Sequence, residues 1–280
     1  MIKFAKIFRI LSIDIALGAC ATSSSICYLY GIDIPINSIL ALGISIWLIY
    51  TCDHLMDANR IKKSATSERH HFHQKHFNLL LYIELFFFIL AVFLALFFVD
   101  NRIRTNGFIL IIISSIYLIL ERFLGSNKNI FFMKEFVIAI IYSLGLILVP
   151  FTLGIERYNT NLAFMFAELF LIAFSNLILF ATFDKDSDAN DNLVSAVSKL
   201  GIDKIKLLMN LNFVSFISIW FLSLFMVDLI PKFILMQIFF LTMMIIVSFI
   251  FFYKKNLDNI FFYKIIADGV FFLPTIIFLF

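Results

Sequence analysis

The chain has 280 residues, 62% of them hydrophobic and only 15% charged, with 38 phenylalanines and a net charge of +3. So much apolar surface excludes a soluble domain, and nothing in so small a charge points to nucleic acid. The apolar runs are continuous rather than alternating, which excludes a β-barrel and leaves an all-α integral membrane protein.

In chain order, apolar runs bounded by polar clusters predict nine transmembrane helices, near 8–31, 35–57, 77–99, 104–123, 131–153, 161–183, 203–228, 232–253 and 259–280. They form one polytopic domain over residues 1–280. The stretch "LGAC" at 17–20 has the form of a lipoprotein cleavage site, but Asp14 interrupts the apolar region before it. The segment is therefore read as the first span. Cys20, Cys27 and Cys52 make no disulfide framework. Pro150 and Pro274 predict kinks in the fifth and ninth spans.

With the N-terminus inside, the inner segments collect 17 lysines and arginines and the outer ones 4. The inner set runs from Lys3, Lys6 and Arg9 to Lys254 and Lys255 and includes Lys62 and Lys128, while Arg157 falls outside. This bias predicts a cytoplasmic N-terminus and a multi-pass protein of a bacterial inner membrane.

Two acidic stretches stand out. "YTCDHLMDANR" (50–60) closes the second span with Asp53 and Asp57, and "FATFDKDSDANDN" (180–192) closes the sixth with Asp184, Asp186, Asp188 and Asp191. The second and sixth spans run in the same direction, so both clusters lie at the inner ends, four helices apart. A spacing of four puts both carboxylates of a DxxxD pair on one helical face. Two facing pairs make an anionic mouth that calls for cations. Mg²⁺ takes carboxylate oxygens and completes its shell with water and substrate phosphates. Acidic residues at helix C-termini also work against the macrodipole, by roughly 0.3–1 kcal/mol each. The alternative is that both clusters are simply solvated helix ends.

The chain here resembles the UbiA superfamily of intramembrane prenyltransferases, which have nine transmembrane helices and aspartate-rich motifs after helices 2 and 6. "DKDSDANDNLVSAVSKLG" (184–201) looks like the second motif with its tail, and "YLILERF" (117–123) like the signature on helix 4. The resemblance implies a UbiA-type bundle whose active site faces the cytoplasm. It implies that Asp53 and Asp57 hold one Mg²⁺ and Asp184 and Asp188 another, with Tyr117 beside the scissile bond. It places Arg9, Arg60, Arg122, Asn176, Lys185 and Asp191 as substrate-binding residues. Ile49 and Tyr50 depart from the family's asparagine and first aspartate, and Glu121 from a frequent lysine.

"SERHHFHQKHF" (67–77) carries four of the five histidines. It reads as a basic loop at headgroup level, as a cap in which Arg60, Arg69 or His71 meets diphosphate, or as a metal site. Asp14, Glu84, Glu168 and the pair Lys264 and Asp268 lie within spans, where such groups face the bundle interior. Lys264 and Asp268, four apart, are expected to satisfy each other.

The expected function is Mg²⁺-dependent transfer of a polyprenyl group from its diphosphate to a lipophilic acceptor, such as an aromatic or quinone-precursor ring. The partners are then the prenyl diphosphate, the acceptor and membrane lipid. The alternatives are a non-catalytic prenyl-lipid binder of the same fold and an ion-coupled carrier, in which the 131-residue offset between clusters marks two halves.

Overall fold

A run of twenty apolar residues in lipid must satisfy its own backbone hydrogen bonds, so it winds into a helix. The computed structural model describes residues 2–61, 63–124, 134–153, 159–226, 231–253 and 260–280, and all regular structure among them is helical. Lys62, Lys128, Arg157, Lys254 and Lys255, which entered the charge count, lie outside the described residues.

The helices are α1 (Ile2–Ile10), α2 (Ile13–Leu29), α3 (Ile36–Arg60), α4 (Glu68–Lys75), α5 (Phe77–Phe97), α6 (Asn101–Leu124) and α7 (Lys134–Thr152). They continue with α8 (Asn159–Phe183), α9 (Lys185–Asn190), α10 (Ala196–Leu200), α11 (Ile202–Met226), α12 (Pro231–Tyr253) and α13 (Ile260–Gly269). A 3-10 segment, Val270–Leu279, ends the chain. Among the described residues, 8 helices are long and apolar enough to cross a membrane, and α2 is a shorter apolar helix.

Two expected spans change character. The run 8–31 is not one helix: Ser12 takes a left-handed conformation (φ 55°) and separates α1 from α2. The break is stabilised from α3, because Trp47 Nε1 donates to the Leu11 carbonyl and Ser12 Oγ lies 3.2 Å from His54 Nε2. The run 259–280 begins as α-helix and tightens to 3-10 winding four residues before Pro274. Pro150 lies two residues before the end of α7.

The core gathers around α8, which packs on α7, α11 and α12, while α2 packs on α3, α7 and the 3-10 segment. Met165, Leu169, Ile172 and Leu179 of α8 meet Phe240, Met243 and Val247 of α12 in one buried cluster. Glu168 of α8 is fully buried there and accepts a 2.8 Å hydrogen bond from Gln237 Nε2, as expected of an acid inside a span. Close helix approach falls at Gly43, where an added Cβ would lie 2.5 Å from Cys20 Sγ. α5 is built differently. It buries Leu80 and exposes Phe86, Ile89 and Phe97, the pattern of a helix facing lipid.

Candidate functional site

The last two turns of α3 carry Asp53, Asp57 and Arg60. Arg60 donates through both terminal nitrogens to Glu121 of α6, at 3.1 Å each, and lies 3.5 Å from Asp57. Lys134, at the start of α7, lies 3.9 Å from the other Asp57 oxygen. Glu121 is thus the acceptor of a two-pronged Arg60 bridge. Its neighbour Arg122 is exposed, outside this cluster. Asp53 is half-buried, and its Oδ1 has no hydrogen-bond partner among the described residues.

The second cluster begins where α8 ends. Asp184 accepts a hydrogen bond from Lys264 of α13. Burial alone would raise its carboxyl, but Lys264 and Arg69 hold it below the usual carboxylate range. Asp188 behaves oppositely: burial pushes it up to about 7, with Asp184 and Asp57 adding to the rise and Lys134 opposing it. Asp191, three residues beyond Asp188, bonds Thr66 and Ser67 just after α3, so the two clusters lie at the same end of the bundle. Lys185 and Asp186, by contrast, are exposed.

Asp191 is buried and has a different occupation. Its carboxylate accepts from the Thr66 amide (2.9 and 3.2 Å), the Thr66 hydroxyl (2.9 Å) and the Ser67 amide (3.4 Å). It therefore ties down the strap between α3 and α4. Gln74 clips the same strap from the other side, its amide donating to the Ala58, Ile61 and Lys63 carbonyls and its oxygen accepting from the Ala65 amide. Ser67 caps α4 through its side chain. The histidine stretch is thus a built cap. His70 and His73 are buried against His54 of α3, whereas His71 bonds the Ser64 hydroxyl at an exposed position. Burial holds both buried imidazoles below the ordinary histidine range, His73 down to about 4.

A third group corrects the sequence expectation. Lys264 and Asp268 do not pair. Lys264 reaches Asp184, and Asp268 instead meets Arg9 Nε at 3.4 Å and the Asn176 amide at 3.2 Å. Arg9 Nη2 and Asn176 Oδ1 are buried with no hydrogen-bond partner among the described residues. Beside them is a chamber of about 80 Å³, lined by Tyr50, Arg69, Tyr142, Asn176, Phe180 and Asp268. Asp14, in the first turn of α2, accepts a 3.0 Å hydrogen bond from the Ile15 amide.

Below these groups lies an apolar cavity of about 730 Å³ between α3, α5, α6 and α7, within the size range of ligand pockets. Tyr117 lines it and is itself buried, and Glu84 and Cys52 lie along the same wall. Ile49 and Tyr50 also line it, and Tyr50 and Tyr142 line the polar chamber as well. Tyr50 therefore stands between the two compartments.

Mg²⁺ fits the chemistry of these donors, which are hard carboxylate oxygens, and one of them, Asp53 Oδ1, is buried without a partner. Among the described residues no group of three or more His, Cys, Asp or Glu converges for a metal. Mg²⁺ needs no such cage, since it commonly binds through one or two carboxylates together with substrate phosphates. The sequence pointed to the carboxylates and to Arg69, but not to the role of Lys134 or the long-range use of Lys264. Compared with protein-family models, curated proteins and solved structures, the chain matches none.

Proposed function

We propose that this protein is a UbiA-like prenyltransferase of a bacterial inner membrane, with the broken α1–α2 helix as the first of nine spans and the aspartate clusters at the cytoplasmic face. One observation carries the reading: a large apolar cavity ends beneath a mouth that mixes carboxylates with Arg60, Lys134 and Lys264. That pairing suits a molecule with a long hydrocarbon tail and a multiply charged head. Asp53 and Asp57, with Asp184 and Asp188 opposite, would hold Mg²⁺, which neutralises the charge that builds on diphosphate as it leaves.

The chain's own residues do the rest. Lys134 and Lys264 exchange their carboxylate partners for phosphate oxygens. Tyr117, in the cavity wall, turns its ring to the allylic carbon, where an aromatic face stabilises developing positive charge. The strap over α3 and Asp191 keeps water from the ionising bond.

A second reading, the non-catalytic prenyl-lipid binder, is favoured by a separate observation: Asp57 and Asp184 are already answered by protein cations. The test is pyrophosphate release by purified protein in lipid nanodiscs, with prenyl diphosphates, an acceptor panel, and Mg²⁺ present or absent. Release that needs Mg²⁺ and disappears in Asp53→Ala and Asp184→Ala supports transfer. Binding without release supports the binder, and absence of both sinks the diphosphate reading.

A further inference from the structure

α5 turns one stripe to the apolar cavity, made of Leu81, Glu84, Phe88, Ala91 and Ala95 at the alternating three- and four-residue spacing of a single helical face. Glu84 is the one charged residue of that stripe. The other charged side chain lining the cavity, Arg104, is bonded to the Leu96 carbonyl at 3.0 Å and to Asn101 Oδ1 at 2.6 Å. Leu96 lies twelve residues beyond Glu84 on α5, about 18 Å at 1.5 Å per residue, so Arg104 does not neutralise Glu84.

The Cys52 thiol, on α3, is hydrogen-bonded to the Glu84 carboxyl and is its one partner among the described residues. A thiol is a weak donor, and a carboxyl has lone pairs for further donors. A carboxyl that faces an apolar cavity within a span and is answered by a thiol marks a place where a ligand supplies the missing donor. Glu84 also sits at an entrance. The cavity opens sideways between α5 and α6, where Leu85, Phe88, Phe108 and Ile111 line it and remain exposed. An uncharged lipophilic molecule reaches Glu84 from the bilayer through that opening, without passing the ion pairs of the mouth. A carboxylate is held back on that route by the cost of leaving water.

We infer that Glu84, with Cys52 behind it, recognises the acceptor, and that the acceptor is an uncharged lipophilic molecule whose hydroxyl donates to this carboxyl. A phenol or hydroquinone fits, and a ring acid does not. This inference rests on reading the protein as a transferase with a lipophilic acceptor. Cys52 precedes Asp53 on α3, so the contact holds the hydroxyl at the level of the aspartates, beneath the mouth. Glu84 acts here in specificity.

The test follows protection of Cys52 from N-ethylmaleimide, read on its own peptide by mass spectrometry, with the full chain in nanodiscs. The probes are para-nonylphenol, para-nonylbenzoate and para-nonylanisole, a methyl ether that keeps the oxygen but has no proton to donate. The phenol should protect at about tenfold lower concentration than the ether, the effect of one hydrogen bond to a carboxyl. Glu84→Leu should abolish that preference, and Glu84→Gln, which keeps an acceptor oxygen, should retain part of it. Equal protection by phenol and ether in the unaltered chain overturns the inference, with no variant required to fold. So does a preference that survives in Glu84→Leu, or protection by none of the three.

Pyrophosphate release separates this inference from the reading beneath it. Glu84-dependent protection by the phenol, with no Mg²⁺-dependent release from prenyl diphosphates and any acceptor, leaves the hydroxyl site standing and removes transfer. Release supported by the benzoate and not by the phenol leaves transfer standing and overturns the hydroxyl site.

Discussion

Arg60 on α3 and Glu121 on α6, 61 residues apart, join through two parallel hydrogen bonds of 3.1 Å each. Glu121 is 2% exposed, so its carboxylate depends on this arginine. Glu121→Ala should cost about 1–3 kcal/mol, between the limits for exposed and buried ion pairs. Unfolding in detergent measures it, and the swap Arg60→Glu with Glu121→Arg should recover more than half of the loss. No recovery would mean that Glu121 matters through packing alone.

Asp191 should prove a positioning residue. Asp191→Ala removes the acceptor for the Thr66 and Ser67 amides, while the membrane helices keep their contacts. Hydrogen exchange should quicken across residues 64–74 by tenfold or more, with α8 and α12 unaffected. Unchanged exchange in the strap would show that Gln74 holds it alone.

Acid should loosen the cap. His73 is fully buried, and its Nδ1 bonds the Arg69 carbonyl at 2.8 Å. Its folded value of about 4 lies below the ordinary imidazole value of 6.5. A depressed imidazole favours the neutral form, so its contribution is whole above 6.5 and is lost as pH falls from 6.5 towards 4. The loss should reach about 1–3 kcal/mol at pH 4, discounted from the full linkage because the loop lies near solvent. His73→Gln should flatten that part of the stability profile measured by thermal unfolding, and an identical profile would refute the assignment.

The α2–α3 crossing is set by a glycine. Gly43→Ala puts a methyl 2.5 Å from Cys20 Sγ and should destabilise by about 1–3 kcal/mol. Cys20→Ala removes the sulfur and should restore most of that loss. A Gly43→Ala variant as stable as the parent would mean that the helices separate freely.

Some of this was written plainly in the chain. Long apolar runs announce α3, α5, α8 and α12 because a membrane helix satisfies its backbone locally. The DxxxD spacing announces that Asp53 and Asp57 share a face of α3, but not that Asp184 falls between α8 and α9, apart from the helix that carries Asp188. Other features depend on elements distant in sequence. Lys264 lies four residues from Asp268, and local spacing joins them, yet tertiary packing brings Asp184 closer from 80 positions away. The break at Ser12 was equally hidden, because what stabilises it is Trp47 and His54 on another helix. Glu121 looked like a charge reversal until Arg60 was placed opposite it.

The strap has a consequence for any ligand that enters the mouth. Gln74 fastens it to the end of α3, and Asp191 fastens it just beyond α9. The two acidic helix ends are thereby moored to one another by hydrogen bonds with the strap backbone, whatever charge occupies the gap between them. The separation of the clusters is preset before a ligand arrives. The entropy of ordering the mouth is then met in folding, not in binding, and each contact with a ligand counts more fully towards affinity.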